Sequence, residues 1–403
     1  MLNKDGQREL AYIVTIDEIR PIPNYDRVEH ARVGGWWVIV KKDQFKAGDP
    51  AIYIEVDSRV PEKEPFMFLE KKHFKVKTQK MCKVLSQGLL MHPNDFEWKA
   101  FYNEKAYKWD IWDNTSHLKV GDFVTEKLGI IYAEDSDNKR KAPSADKYKK
   151  MAQRRPNIFR KPWARWMMKR NWGKKVMFFF FGKKKDKKGG WPVWIKKTDE
   201  ERCQNMPWLF PGGDEEFTAT EKIDGTSTTF AIKGRGRKQE FYVCSRNVVQ
   251  DTPERKNFYD GNVYWEMAEK YNIKENLNSL MDSNTEYIIL QGETYGAGIQ
   301  KRDYAMKDHD FAAFNLIVKL KNQEPVRYDT VAMEKVLTPL GIPSVPIVDT
   351  AFKIPTTCDK LLKIAEGKSA IDGGMREGIV IRSKDGQRSF KAVSNPFLLK
   401  YHS

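Results

Sequence analysis

Cysteine and long apolar runs are scarce in this sequence. The four cysteines are far apart and form no C-x-x-C pair, so the sequence indicates neither a disulfide framework nor a zinc site. The six histidines are also scattered, and a structural or surface role is the better interpretation of each. No segment approaches the roughly 20 apolar residues of a membrane-spanning helix. The opening MLNKDGQREL lacks the apolar stretch of a secretory signal. We therefore expect a cytoplasmic protein that is not embedded in a membrane.

Positive charge is concentrated in one part of the chain. The formal net charge is +16, and the segment 139–197 alone holds 22 Lys and Arg residues against two acidic residues. The remainder of the chain is slightly acidic. A basic cluster of this size predicts a polyanionic partner, because each phosphate that it neutralises releases condensed counterions.

The chain is long enough for two or three domains. It has 403 residues, of which 40% are hydrophobic and 12% aromatic, and this composition indicates a folded protein. Residues 9–56 alternate apolar and polar positions between closely spaced turn signals, as in LAYIVTIDEIRPI, WWVIVKK and PAIYIEV. The pattern predicts a small, mostly antiparallel β domain or barrel over residues 1–130.

Residues 131–197 differ in composition and form a basic, aromatic-rich insert or linker. A charged stretch is followed by a segment in which tryptophans alternate with basic residues: Trp163, Trp166, Trp172, Trp191 and Trp194. Three interpretations stay open for this basic insert. It is a solvated or partly disordered linker, a surface that stacks on unpaired nucleotides, or a basic amphipathic helix on a membrane surface.

Residues 198–403 form the last predicted domain, in which strands outnumber helices. Its hydrophobic periodicity predicts strands at 215–222, 226–233, 239–245, 286–292, 311–320 and 378–383. Helices are predicted near 260–282, 329–339 and 357–366. This domain is therefore of the α+β class.

The stretch FTATEKIDGTSTTF, residues 217–230, has a lysine beside a turn signal. Asp224-Gly225 is typical of a β-hairpin turn, which does not require Lys222. The motif K-x-D-G is weak on its own, but a series of further motifs follows it in order: CSRN at 244–247, QGETYGAGIQ at 291–300, FAAFNL at 311–316, REGIVIR at 376–382 and SFKAVSNPFLLKY at 389–401.

This ordered series resembles the covalent nucleotidyltransferases, which include ATP-dependent polynucleotide ligases and mRNA capping enzymes. The resemblance is closest to RNA ligases with an N-terminal OB domain, because VGGWWVIVKK, SQGLLMHP and, at 197–205, KTDEERCQN are also similar to that family. It implies an α+β protein with an N-terminal OB-type β-barrel. A C-terminal adenylyltransferase domain, built on antiparallel sheets with flanking helices, would follow.

The resemblance implies a lysine nucleophile that is activated by its surroundings. Lys222 would attack the α-phosphorus of ATP and carry AMP as a lysyl phosphoramidate. Lys391 would bind the α-phosphate, and Asp224 would orient Lys222 or bind a metal-bound water. Since a free lysine has a pKa near about 10.4, we expect Lys391 and partial burial to lower the pKa of Lys222.

The resemblance also implies contacts to the rest of the nucleotide. Glu293 would contact the ribose hydroxyls, and Arg246 the ribose or the RNA end. Phe311 or Phe314 would stack on adenine. Glu377 would bind hydrated Mg²⁺ or Mn²⁺. Three further nucleotide contacts would come from Arg202, Glu221 and Ile223.

One departure from the family pattern concerns its last motif. Ligases of this superfamily usually have K-x-K there, whereas Lys391 is followed by Ala392 and Val393. Three other bases could supply the second charge, and the sequence does not choose among them: Lys400, Arg388 and Arg382.

The resemblance implies an ATP-dependent RNA ligase that seals 3′-OH/5′-phosphate breaks, because the β domain precedes the motifs, as in RNA ligases, and does not follow them. Its partner would be RNA, including a nicked duplex or an RNA/DNA hybrid, and its role RNA repair as a monomer. A DNA ligase is one alternative, because it uses the same three chemical steps. A non-catalytic RNA-binding protein with a degenerate ligase fold is the other.

Overall fold

The computed structural model describes residues 8–103, 108–113, 115–133, 161, 164, 167, 191–254, 259 and 261–402. The chain divides into two compact units, one made of residues 1–130 with 191–403 and the other of residues 131–190. Most of the predicted basic insert lies outside the described residues. The larger unit contains two β-rich domains.

The N-terminal domain consists of short strands. They are β1 (Ala11–Thr15), β2 (Glu18–Ile22), β3 (Tyr25–Val33), β4 (Trp36–Lys41), β5 (Pro50–Ile54), β6 (Ser58–Arg59), β7 (Gln79–Met81), β8 (Val84–Ser86), β9 (Leu89–Met91), β10 (Lys99–Asn103), β11 (Lys108–Trp112) and β12 (His117–Leu118). A short helix, α1 (Thr125–Leu128), ends the domain, and β13 (Ile131–Tyr132) belongs to the smaller unit. The two main sheets have the strand orders β1-β5-β9 and β2-β3-β4.

These two sheets meet at a corner formed by Ile16 and Asp17. The amide of Ile16 donates to the carbonyl of Asp49 beside β5, whereas the amide of Asp17 donates to the carbonyl of Arg32 in β3. The chain therefore changes sheets within two residues, as strands do at the corners of orthogonal β packings. Side chains from both sheets share one core, which includes Tyr12, Val33, Trp36, Val38 and Tyr53.

The C-terminal domain is built on two five-stranded sheets. Its strands are β14 (Glu201–Arg202), β15 (Glu216–Lys222), β16 (Thr226–Lys233), β17 (Glu240–Ser245), β18 (Thr285–Gly296), β19 (His309–Leu320), β20 (Val326–Arg327), β21 (Ile347–Lys353), β22 (Gly378–Ser383) and β23 (Ser389–Val393). The first sheet has the order β14-β23-β22-β15-β21 and the second the order β17-β16-β18-β19-β20. All six predicted strands are present.

Helices cover the outer faces of the two sheets. They are α2 (Val263–Lys270), α3 (Ile273–Ser279), α4 (Thr330–Leu337), α5 (Cys358–Ala365) and α6 (Asn395–Phe397). The predicted helix at 260–282 is two helices, because Asn272 between them has a left-handed backbone with φ of 43°. None of the helices in the described part of the chain is long and apolar enough to cross a membrane.

Residue alternation along the first sheet separates its core face from its open face. Apolar residues at every second position pack against α5, among them Phe217, Ala219, Ile379, Ile381, Phe390 and Ala392. Because side chains of a strand alternate between the two faces, the intervening residues point the other way. Lys222, Val380 and Lys391 therefore share the face opposite α5.

The two domains of the larger unit are joined by buried contacts. The indole Nε1 of Trp36 donates to Oδ1 of Asn205 at 2.9 Å, and both residues are almost fully buried. A small apolar cluster joins Leu85 of β8 to Val393 and Leu398. These contacts connect the N-terminal core to the edge of the first sheet that carries Lys391.

Candidate active site

A cavity of about 270 Å³ lies between the two sheets of the C-terminal domain. Strands of both sheets contribute to its wall. Four basic side chains line it, Lys222, Arg246, Arg382 and Lys391, together with the acidic residues Asp199, Glu200, Glu221 and Glu293. A concave site with several convergent charges is the usual form of a binding site for a charged ligand.

Lys222 stands where the chain crosses from one sheet to the other. The prediction of a β-hairpin at Asp224-Gly225 is wrong, because β15 pairs with β21 and β22 whereas β16 pairs with β17 and β18. Gly225 is required by close packing, since a Cβ atom there would lie 2.3 Å from the carbonyl oxygen of Thr294. The crossing is held by the amide of Asp224, which donates to the hydroxyl of Tyr304 at 2.6 Å.

The ammonium group of Lys222 forms an ion pair with Glu377. Both carboxylate oxygens of Glu377 lie 2.7 Å from Nζ. Burial lowers the pKa of Lys222, but the carboxylates of Glu377, Glu293 and Asp224 together raise it above its ordinary value. The expected lowering of this pKa is therefore wrong for the ligand-free protein, because the carboxylates outweigh burial and the nearby cation.

Glu293 lies on β18 opposite Ser227 and faces the cavity. Burial is the main reason that its pKa rises to about 8, and the charges of Glu377 and Asp224 add to the effect. Lys222 and Arg246 act in the opposite direction. A carboxyl group with this pKa holds its proton near neutral pH and can donate as well as accept hydrogen bonds.

Lys391 and Arg246 share one carboxylate at the cavity wall. Oδ1 of Asp199 is 3.5 Å from Nζ of Lys391 and 3.6 Å from Nη2 of Arg246. Burial lowers the pKa of Lys391, and the charges of Arg202, Lys222 and Arg246 lower it further against the attraction of Asp199. Arg202 lies beside Lys391 in the parallel pair of β14 and β23. This end of the cavity is therefore rich in positive charge.

Phe314, and not Phe311, faces the cavity. Phe311 is fully buried in the core between the second sheet and α2, where its ring packs against Phe230. Between β18 and β19 the pairing passes from Gln291 with Asn315 to Gly292 with Ala313, so Phe314 is an extra residue in a β-bulge. Bulges re-aim side chains next to functional sites. The bulge explains why Phe314 lines the cavity.

The residues on either side of Lys222 also line the cavity. Oε2 of Glu221 accepts from the amide of Ala370 at 2.8 Å, whereas Oε1 is buried without a partner among the described residues. Ile223 is buried in an apolar cluster with Val345 and Phe314. Both residues lie within reach of a ligand in the cavity.

The position after Lys391 that was expected to hold a second lysine faces an apolar cluster. Val393 is 3% exposed and contacts Leu85 and Leu398. Of the three bases considered as substitutes, Arg388 is exposed and pairs with Glu215, and Lys400 is exposed as well. Arg382 lines the cavity.

The structure thus gathers most of the predicted site residues. Lining the cavity are Glu221, Lys222, Ile223, Arg246, Glu293, Phe314 and Lys391. Glu377 contacts Lys222, and Asp224 and Arg202 lie next to lining residues, whereas Phe311 is excluded. Asp199, Glu200 and Val380 were missed. The first two stand in the stretch KTDEERCQN, and Val380 could have been found by strand alternation after Glu377.

The carboxylates of this cavity could hold a divalent cation only together with oxygen atoms of a bound ligand. No group of three Asp, Glu, His or Cys side chains suited to a metal ion occurs within the described ranges. Glu377 and Asp224 offer hard oxygen atoms near Lys222. Mg²⁺ is usually held by one or two carboxylates together with waters and substrate phosphates, which matches this sparse set.

Comparisons with known proteins give matches for both domains of the larger unit. Residues 215–401 match the RNA ligase family, and residues 10–93 match an OB-fold domain. The solved structures similar to this chain include variants of Naegleria gruberi RNA ligase. A lysine-to-alanine variant with ATP and Mn has 26% identity and a TM-score of 0.65. A glutamate-to-alanine variant with AMP and Mn has 27% identity and a TM-score of 0.63.

Both alignments cover 98% of this chain and 99% of the other. The RNA ligase of N. gruberi with PPi is similar as well, with 26% identity, a TM-score of 0.63 and the same coverage. No curated protein matches the sequence of this chain. Residues 215–401 therefore belong to the RNA ligase family, and the chain is an ATP-dependent RNA ligase with an OB-fold domain at its N-terminus.

Proposed function

We propose that the enzyme seals RNA through a lysyl-AMP intermediate on Lys222. In the first step Nζ, after losing a proton to solvent, bonds to the α-phosphorus of ATP and pyrophosphate leaves. In the second step the 5′-phosphate of RNA takes AMP from the lysine. In the third step a 3′-hydroxyl attacks that phosphate, forms the phosphodiester bond and releases AMP.

The contact between Lys222 and Glu377 is the observation that carries this proposal. It puts the amine at the cavity wall, 2.7 Å from both oxygens of a carboxylate. The basic groups Lys391 and Arg246 line the same cavity. An amine close to these basic groups is suited to attack a polyphosphate, because fixed positive charge stabilises the charge that develops on the phosphoryl oxygens.

We assign the other cavity residues to the base, the ribose and the phosphates of ATP according to the end of the cavity at which they lie. Phe314 and Val380 supply apolar surface for adenine, and Glu293 and Arg246 lie where the ribose would follow. Lys391, with Arg202 beside it, would bind phosphate oxygens. The base would then lie at the Phe314 end and the reacting phosphorus at the Lys222 end.

We propose ATP and Mg²⁺ or Mn²⁺ as cofactors. One of the similar N. gruberi structures contains ATP and Mn. Glu377 and Asp224 would hold the cation, which would offset phosphate charge when bound. Lys222 must also lose its proton before it can attack. The ion pair with Glu377 keeps the amine protonated and not nucleophilic until that carboxylate is engaged elsewhere.

The proposed substrate is RNA with a 3′-hydroxyl and a 5′-phosphate, including a nicked duplex or an RNA/DNA hybrid. RNA repair by a monomeric enzyme inside the cell is the biological role that we propose. The domain division into residues 1–130, 131–197 and 198–403 remains part of this proposal.

Labelling with [α-³²P]ATP tests the chemistry. The wild type should become labelled, Lys222→Ala should not, and Lys400→Ala, which removes an exposed lysine, should label like the wild type. Absence of label on the wild type would favour a non-catalytic RNA-binding protein. Sealing of nicks with RNA or DNA on each side then tests the substrate, and activity restricted to all-DNA nicks would contradict the RNA assignment.

A further inference from the structure

Arg382 is a buried cation with incomplete hydrogen bonding on the cavity wall. Its side chain is 6% exposed, and Nη2 lies 3.3 Å from Oε1 of Glu200. Nε and Nη1 are buried without a partner among the described residues. Buried donors without acceptors are costly. A ligand that accepts hydrogen bonds from this guanidinium would remove that cost.

Arg382 belongs to the apolar end of the cavity and not to the phosphate end. Its Cζ lies 5.8 Å from the centre of the Phe314 ring. The charges that act most strongly on it are those of Glu200 and Arg327. The basic groups that act on Lys391 are different ones, Arg202, Lys222 and Arg246.

The register of the first sheet gives the same assignment. Lys391 is paired with Val380, and Arg382 lies two residues further along β22, opposite Ser389. Lys222 is paired with Gly378 in the other direction along the strand. Arg382 is therefore four positions along β22 from Gly378, the residue that pairs with Lys222. It cannot replace a phosphate-binding lysine next to the nucleophile without moving.

The pair of Arg382 and Glu200 matches one edge of adenine. A guanidinium only donates hydrogen bonds and a carboxylate only accepts them. The edge of adenine that carries the 6-amino group offers a donor beside a ring-nitrogen acceptor. A base stacked on Phe314 can turn this edge toward the pair.

We propose that Arg382, held by Glu200, donates to a ring nitrogen of adenine and is a specificity-determining residue of the nucleotide site. Glu200 accepts from the 6-amino group. This inference rests on the proposed function, because it takes ATP as the ligand of the cavity.

Equilibrium binding to the full-length Lys222→Ala protein tests the inference without the covalent step. The probes are ATP and inorganic tripolyphosphate, which has the phosphates but no base. Arg382→Met should weaken ATP binding about 10- to 100-fold, the range for hydrogen bonds to charged groups. It should leave tripolyphosphate binding unchanged. Arg388→Met is the matched control, because Arg388 is an exposed arginine in the connection just before β23, and it should change neither affinity.

Deaza analogues identify the acceptor. If Arg382 donates to N7 or N1, the effect of Arg382→Met should disappear with 7-deaza-ATP or with 1-deaza-ATP. An unchanged effect with both analogues would overturn the inference. Equal weakening of ATP and tripolyphosphate, or no weakening of either, would overturn it as well.

Two further measurements keep the test interpretable. If Arg382→Met does not fold, as judged by thermal unfolding, Arg382→Gln and Glu200→Gln replace it and should weaken ATP binding selectively. Labelling of the wild type with [α-³²P]ATP is run in parallel. Failure of that labelling counts against the proposed function, whereas normal labelling with no selective effect of Arg382 counts only against this inference.

Discussion

Replacing Glu377 with glutamine should lower the pKa of Lys222. The two groups are 2.7 Å apart, and at an effective dielectric constant of about 20 their attraction is about 6 kcal/mol before desolvation. Loss of one partner of a buried pair typically changes the free energy by about 3–5 kcal/mol. Since about 1.4 kcal/mol corresponds to one pKa unit, we expect a decrease of about two to four units.

Burial is the reason that the pKa of Lys222 should fall when Glu377 is replaced. It already acts to lower the pKa of Lys222, and the carboxylates reverse that effect. With Glu377→Gln, Glu293 and Asp224 remain to oppose burial, but the closest negative charge is gone. The amine should then be neutral more often near neutral pH, although the variant also loses a proposed metal contact. Activity is therefore the wrong measure, and direct titration of the amine is the right one.

Competitive acetylation across the alkaline pH range reports this pKa. The protein is treated with a trace of acetic anhydride without nucleotide or metal, and the peptide that contains Lys222 is quantified by mass spectrometry. Glu366→Gln is the control, because Glu366 pairs with the exposed Lys363 on the surface at 2.7 Å. It should leave the Lys222 profile unchanged. An equal or higher pKa of Lys222 in Glu377→Gln would refute the electrostatic argument.

Three further predictions concern stability. Gly35→Ala should lower the free energy of urea unfolding by about 1–3 kcal/mol through overpacking, because the new Cβ would lie 2.8 Å from Sγ of Cys358. Gly213→Ala is the control and should be neutral in the same assay, because a Cβ at Gly213 meets open space. Trp36→Phe should cost about 1–3 kcal/mol in the same assay, because it leaves a buried amide oxygen unpaired. The pKa of Glu293 is raised from 4.5 to about 8, so the folded state binds the proton more tightly and its stability should fall as pH rises through that interval. Glu293→Gln should flatten this part of the pH profile, and an unchanged profile would contradict the assignment.

Much of the C-terminal domain could be predicted because its signals are local. Strand periodicity gave the six strands, since half-buried strands impose a period of two on the sequence. The resemblance of the ordered motifs to the nucleotidyltransferases grouped Lys222, Glu293, Glu377 and Lys391, which lie on or next to separate strands. The cavity lies where these elements converge.

Other features depend on contacts that no local pattern encodes. In sequence, the crossing at Asp224-Gly225 cannot be told from a hairpin turn. Only the pairing partners of β15 and β16 show that the chain passes from one sheet to the other. The bulge that exposes Phe314 depends on the register between β18 and β19. The pKa of Lys222 depends on distances to carboxylates far away in sequence, so the sign of its shift was mispredicted from burial and a neighbouring cation.

The surroundings of Val393 affect how the protein can evolve. A lysine at this position would bring an ammonium group into the cluster with Leu85 and Leu398, and an unpaired buried charge is strongly unfavourable. Val393→Lys alone should therefore destabilise the fold even if it improved phosphate binding. A lysine here would need compensating changes among the residues around Val393, including Leu85 of the N-terminal domain, so the packing of one domain limits the motif of the other.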